Sequence, residues 1–224
     1  MKKKILFIIS VCCLLFASCE YDNFDEPKST LSGKVVYDGK PIGLRTNGPQ
    51  LELWQDGFGL RKSIPVYLAH DGSFSAVLFN GQYKMVRKAG GPWQPQLSDT
   101  IIIDVRGNTV TDVPVIPYFV INNESYQKGV DDVTAKFTIN KIVESADISE
   151  VRLYLGMSIL TDQNKNEQAV SADISKIITG QETSLIAKIP SSLTKYDYIF
   201  ARIGVRSTVS NEFYYTQVQR VDLK

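Results

Sequence analysis

From residue 31 onward, hydrophobic positions recur at every second residue with polar ones between them, the period of half-buried strands. Leu31, Gly33 and Val35 share one face before the turn signal Asp38-Gly39. Leu51 and Leu53 alternate with Glu52 and Trp54, which predicts a strand that turns Trp54 away from the core. Val66-Tyr67-Leu68 runs into the turn His70-Asp71-Gly72, and Phe74, Ala76 and Leu78 line one face of the next strand. Asn80-Gly81 is a second hairpin signal, followed by Tyr83 and Met85. Residues 101–105 and 113–115 bring the first series to about seven short strands at turn spacing, the layout of a β-sandwich.

Pro114 and Pro117 punctuate the passage into a second series. Val133, Ala135, Phe137 and Ile139 alternate with polar residues, as do Val151, Leu153, Leu155 and Met157. A near-continuous apolar run follows at residues 199–205. One or two helical turns are expected within residues 170–179, opening near Asp173. The pattern therefore predicts an all-β chain of two β-sandwich domains, residues 31–118 and 119–224.

The N-terminus has a different period altogether. Lys2, Lys3 and Lys4 precede an apolar run at residues 5–16, and Ala17-Ser18 stand before Cys19. A secretory signal has an apolar core of about 7–15 residues, whereas a spanning helix needs about 20. Residues 1–18 are read as a lipoprotein signal peptide cut before Cys19, the expected lipid attachment site. Residues 19–30 are rich in acid and lack an apolar period, as a solvated tether does. Two or three acyl chains on Cys19 would anchor the protein stably to the outer membrane. The exterior face is the expected location, with the periplasmic face as the alternative.

Charge and cysteine count narrow the function classes. Removing residues 1–18 leaves 22 basic and 24 acidic side chains, a net charge of −2. Such a chain has no electrostatic footprint for nucleic acid. Cys12, Cys13 and Cys19 all lie in the signal or at its end, so the body has no disulfide, thiolate metal site or cysteine nucleophile.

Candidate chemistry is sparse. His70 is the only histidine, and it sits beside a tight turn with no Gly-x-Ser-x-Gly elbow in the chain. Asp162, Asn164, Asn166 and Asp173 have calcium-loop spacing, but Glu167 stands where the bend needs glycine, which favours a polar hairpin tip. Asp131-Asp132 reads as a turn. No catalytic residue, metal or cofactor is expected. The tryptophans offer more. Trp93 lies in Gly90-Gly91-Pro92-Trp93-Gln94-Pro95, a loop with no strand period to draw it inward. An exposed indole beside amides or carboxylates suits a sugar, with an apolar surface under its C–H face and hydrogen-bonding groups at its edge. Trp93, Trp54 and Gln94 are accordingly the candidate glycan-binding residues. The competing expectation is that Trp93 folds back as a lid on the sandwich and that residues of the insertion cover Trp54.

The string Leu31-Ser-Gly-Lys-Val-Val-Tyr-Asp-Gly-Lys-Pro-Ile-Gly, with Leu51-Glu-Leu, Asp71-Gly-Ser-Phe and Asn80-Gly-Gln-Tyr, resembles the transthyretin-like sandwich of carboxypeptidase regulatory-like domains. The insertion at residues 43–50 departs from the compact form of that pattern. Tyr198-Ile-Phe-Ala-Arg-Ile-Gly-Val-Arg and Tyr214-Tyr-Thr-Gln-Val are similar to the last strands of an immunoglobulin- or fibronectin-like sandwich. Together with Cys19-Glu-Tyr-Asp-Asn-Phe-Asp-Glu-Pro, nearly the whole mature chain resembles the Bacteroidetes lipoprotein family called domain of unknown function 3823. That resemblance implies a place near starch-utilisation-type transporters. The expected role is a non-catalytic, cell-surface accessory that binds glycan in polysaccharide uptake. A structural or docking subunit of an outer-membrane transporter complex is the second reading, and an unrecognised glycan-active enzyme the third.

Overall fold

The computed structural model describes residues 25–57, 62–96 and 98–224. The first domain holds β1 (Ser29–Tyr37), β2 (Lys40–Pro41), β3 (Gln50–Trp54), β4 (Ile64–Tyr67), β5 (Ser73–Leu78), β6 (Gly81–Arg87), β7 (Ile101–Val105), β8 (Asn108–Val110) and β9 (Val113–Pro114). One sheet has the order β4-β3-β6-β7. In the other, β1 lies between β5, antiparallel to it, and the short strands β8 and β9, which run parallel to it. Asp38 and Gly39 both have positive φ, as the β1–β2 hairpin requires. Leu31, Val35, Leu51, Leu53, Tyr83 and Met85 fill the space between the sheets.

The second domain holds β10 (Phe119–Lys128), β11 (Asp132–Lys141), β12 (Ile148–Gly156), β13 (Gln168–Ser171), β14 (Glu182–Lys188), β15 (Tyr198–Ser207), β16 (Phe213–Tyr215) and β17 (Gln219–Asp222). The sheet β10-β11-β14 faces the sheet β13-β12-β15-β16, in which β17 also pairs β15. Val133, Ala135, Phe137 and Ile139 interlock with Val151, Leu153, Leu155 and Ile203. The expected helical segment is a single 3-10 turn, Ile174–Lys176, whose N-cap Asp173 accepts from the Ser175 amide. The chain is thus all-β, with two β-sandwiches.

The two sandwiches are joined along a dense seam. Gly43 and Tyr215 form an isolated antiparallel bridge, with the Tyr215 amide donating to Gly43 O at 3.1 Å. A Cβ on Gly43 would lie 2.4 Å from Tyr215 O and 2.5 Å from Thr216 O, so only glycine permits this approach. Arg45 makes a bidentate ion pair to Glu212, at 2.7 and 2.6 Å. Residues 43–50, the insertion that departs from the compact pattern, therefore supply part of the seam. Arg202 is 0 % exposed. It donates to Thr216 O at 2.8 Å and, across the seam, to His70 O at 2.7 Å. Its guanidinium stacks 4.4 Å from the Tyr215 ring centroid, and burial pushes its pKa down to about 10.

Candidate functional site

The structure separates the three candidate glycan residues. Trp93 is 2 % exposed and packs into the core of the first domain, which corrects the expectation of an exposed stacking ring and agrees with the competing one, a ring folded back onto the sandwich. The cause lies in the backbone. Gln94 N donates to Ile116 O and Tyr118 N to Pro92 O, and Trp93 bridges Pro117. These bonds tie the loop to the interdomain connection and turn the indole inward. Gly91 lies against it, since a Cβ there would meet the ring at 2.5 Å. The buried indole N–H has no hydrogen-bond partner among the described residues.

Trp54 is placed as strand parity requires. Leu51 and Leu53 are buried, while Gln50, Glu52 and Trp54 lie partly exposed on the outer face of the sheet β4-β3-β6-β7. Lys84 stands directly opposite Trp54 on β6, and Ile102 of β7 lies opposite Lys84. The indole borders a shallow hollow of 480 Å³ with Lys84, Val86 and Thr100. Lys84 Nζ pairs with Asp56 at 2.5 Å. The hollow thus combines an aromatic face with a hydroxyl and a lysine whose charge Asp56 compensates.

Gln94 is exposed and belongs to a different hollow, of 410 Å³, with Arg87, Ser98, Asp99 and Ile116. Its two charged groups are engaged with each other. Arg87 bonds Pro114 O and the Asp99 carboxylate, and its hydrogen bond holds that carboxyl below the usual carboxylate range. Gln94 and Trp93 share a loop but not a surface.

The remaining sequence candidates are structural. The Asp162 carboxylate accepts from Asn164 N at 2.7 Å and Lys165 N at 3.0 Å, closing a polar turn. No cluster of three metal-ligating side chains occurs among the described residues. His70 O serves as acceptor for Leu44 N and Arg202, which places this turn at the seam. Burial lowers the imidazole pKa; Asp71 opposes the shift and Arg202 adds to it. Cys19 lies outside the described residues. Sequence reasoning missed Arg202, although a lone cation inside the apolar run of β15 is a signal that both faces of the strand are covered.

Comparison with known proteins agrees with this architecture. A model described as protein of unknown function (DUF3823) N-terminal domain matches residues 29–116. One described as domain of unknown function (DUF3823_C) matches residues 119–220. No curated protein matches the chain. A DUF3823 family protein from Bacteroides ovatus is 46 % identical, with a TM-score of 0.83, covering 88 % of this chain and 100 % of its own. One from Parabacteroides merdae is 33 % identical, with a TM-score of 0.81 and the same coverage. A Bacteroides uniformis structure described as a "putative carbohydrate binding protein" is 19 % identical, covers 88 % of this chain and 100 % of its own, and shares the fold with a TM-score of 0.75. Matched over both sandwiches, the chain belongs to the DUF3823 family.

Proposed function

We propose that the protein is a non-catalytic, lipid-anchored glycan-binding module of the cell surface, serving a polysaccharide-uptake system. The observation that carries this reading is Trp54: a partly exposed indole on an outer sheet face, bordering a hollow that Thr100 and Lys84 also line, with Lys84 paired to Asp56. A rigid indole stacks on a sugar at small entropic cost. The carbohydrate-binding description of a protein with the same fold supports the ligand class. The Ala17-Ser18-Cys19 junction supports the anchor.

One experiment tests both parts. Cells producing the wild type, Trp54→Ala or Cys19→Ala are incubated with a panel of labelled polysaccharides, and each purified body is titrated with whichever one the wild-type cells capture. Trp54→Ala should weaken binding by about 1–3 kcal/mol, roughly 5- to 150-fold. Cys19→Ala should abolish capture by cells while leaving the purified body's affinity intact. Unchanged affinity in Trp54→Ala would remove this face as the site, and undiminished capture by Cys19→Ala cells would refute the anchor. A docking role is the second reading. It is favoured by Tyr67 and Ile102 on the same sheet, 55 % and 54 % exposed, and co-purification with a transporter pair that Trp54→Ala disrupts would establish it.

A further inference from the structure

A cleft of 650 Å³ opens beside the seam, between the β2 hairpin of the first domain and β10, β11 and β16 of the second. Its polar groups are set by strand register. Asn122 pairs with Thr138 and Asn140 with Val120. The two amides therefore lie diagonally on the side of the sheet turned away from the buried Ile121 and Ile139. Between Asn122 and Ser125 the ladder slips by one residue. Asn123 takes up the slip in the left-handed region, φ 55°, which asparagine tolerates better than most residues. Such a bulge re-aims side chains and ends regular pairing; here it directs Asn123 and Glu124 to the cleft.

These groups retain unused hydrogen-bonding capacity. Among the described residues, the side chains of Asn122, Asn123, Glu124 and Asn140 make no hydrogen bond to another residue, whereas Arg87 and Lys84 of the other hollows are engaged. Tyr214 borders the same cleft, its pKa pushed up to about 12 by burial with Glu124 and Tyr37 nearby, so its hydroxyl remains a donor at neutral pH. Lys40 and Glu124 contribute one charge of each sign. The walls are fixed in advance: Gln217 Nε2 reaches Pro41 O at 3.3 Å, and Gly43 bridges Tyr215. Three carboxamides offer a donor and an acceptor side by side. That matches adjacent hydroxyl groups, each of which both donates and accepts. A charge-balanced lining gives no advantage to an ion. The volume suits one or two sugar units, within the usual range of about 300–1,000 Å³ for small-molecule sites.

We propose that this interdomain cleft is a second binding site, separate from the Trp54 face, for a neutral polyhydroxylated ligand of one or two sugar units. The two sites are independent, and preorganisation by the seam keeps the cost of binding at the cleft low.

The test uses the ¹⁵N-labelled mature chain, titrated with methyl glucoside, methyl mannoside, xylose and maltose, and with glucuronate and glucosamine as charged controls. At least one neutral sugar should shift the amide signals of Asn123, Glu124 and Thr216. Asn140→Ala and Asn123→Gly should each weaken that binding roughly tenfold, and Trp54→Ala should leave it unchanged. Asn123 is exposed and glycine accepts its positive φ without strain, so this variant keeps the test open should Asn140→Ala fail to fold. The proposal is overturned if no neutral sugar shifts these signals at about 10 mM, or if the charged controls bind equally well. Shifts confined to Lys84, Val86 and Thr100 would overturn the cleft while supporting the Trp54 face.

Discussion

Trp54 and Trp93 belong to the same sandwich and stand in similar sequence company, the first followed by Gln55 and Asp56, the second by Gln94. One indole lies on an outer sheet face and the other in the core. The difference shows where side-chain direction is written. In a strand it is carried by the pleat, so two buried leucines fix which way Trp54 points. In a loop it depends on where the backbone hydrogen bonds go. For Trp93 those bonds run to residues 116–118, more than twenty positions away. Glycine and proline flanks stop a strand from continuing, but they do not make a ring exposed.

Truncating each ring in turn should separate the two positions most widely. Trp93→Ala should cost about 3–5 kcal/mol of stability. Trp93→Phe should cost less, because it also removes the buried unpartnered N–H. Trp54→Ala should stay within about 1 kcal/mol of the wild type. Equal melting temperatures for the two alanine variants would mean that Trp93 is not a core ring.

A smaller effect is expected at Arg202, which repeats the lesson on a strand covered on both faces. Arg202→Met keeps the aliphatic bulk but leaves His70 O and Thr216 O without their charged donor. Hydrogen bonds to charged groups are worth about 1.5–3 kcal/mol each. Leu44 N still donates to His70 O, and the variant sheds the cost of burying a cation. A total loss of about 2–4 kcal/mol is therefore expected, with one calorimetric transition splitting into two as the seam loosens. A single transition at the wild-type temperature would show that the seam does not depend on this residue.

The smallest effect concerns His70. Burial holds its folded-state pKa below the ordinary 6.5. As pH falls through 6.5 the unfolded chain takes up the proton first, so this contribution is present above that value and lost on the way down to the folded pKa. The fall in melting temperature between about pH 7.5 and about pH 5.5 should therefore be shallower in His70→Gln. Parallel pH profiles for the two proteins would refute the assignment.

Much of the fold was legible because its determinants are local. Asp38-Gly39 and Asp71-Gly72 mark real turns with positive φ, and the Leu51/Leu53 alternation correctly oriented Trp54. Loop composition leaves Trp93 free to lie outward or to fold back as a lid, and the connection between domains decides for the lid. Two further features were not legible. Arg202 finds its acceptor 132 residues away. In the cleft, register sets Asn122 diagonally to Asn140 and a one-residue slip in β10 adds Asn123, for which Asn122-Asn123 gives only a faint sign. Gln94 was correctly expected at the surface, yet the hollow it borders lacks the tryptophan that suggested it.

The placement of β1 has a mechanical consequence. It is the first strand of the body, and it is laced on both edges, by six register pairs to β5, three to β8 and two to β9. Under the proposed anchoring, any drag on a captured polymer returns through the tether to Ser29 and along the strand axis. The load then falls on both ladders together as shear, since backbone hydrogen bonds lie across the strand direction. An edge strand would instead be peeled away one bond at a time. The body is thus built to resist extraction at the point where the membrane would hold it.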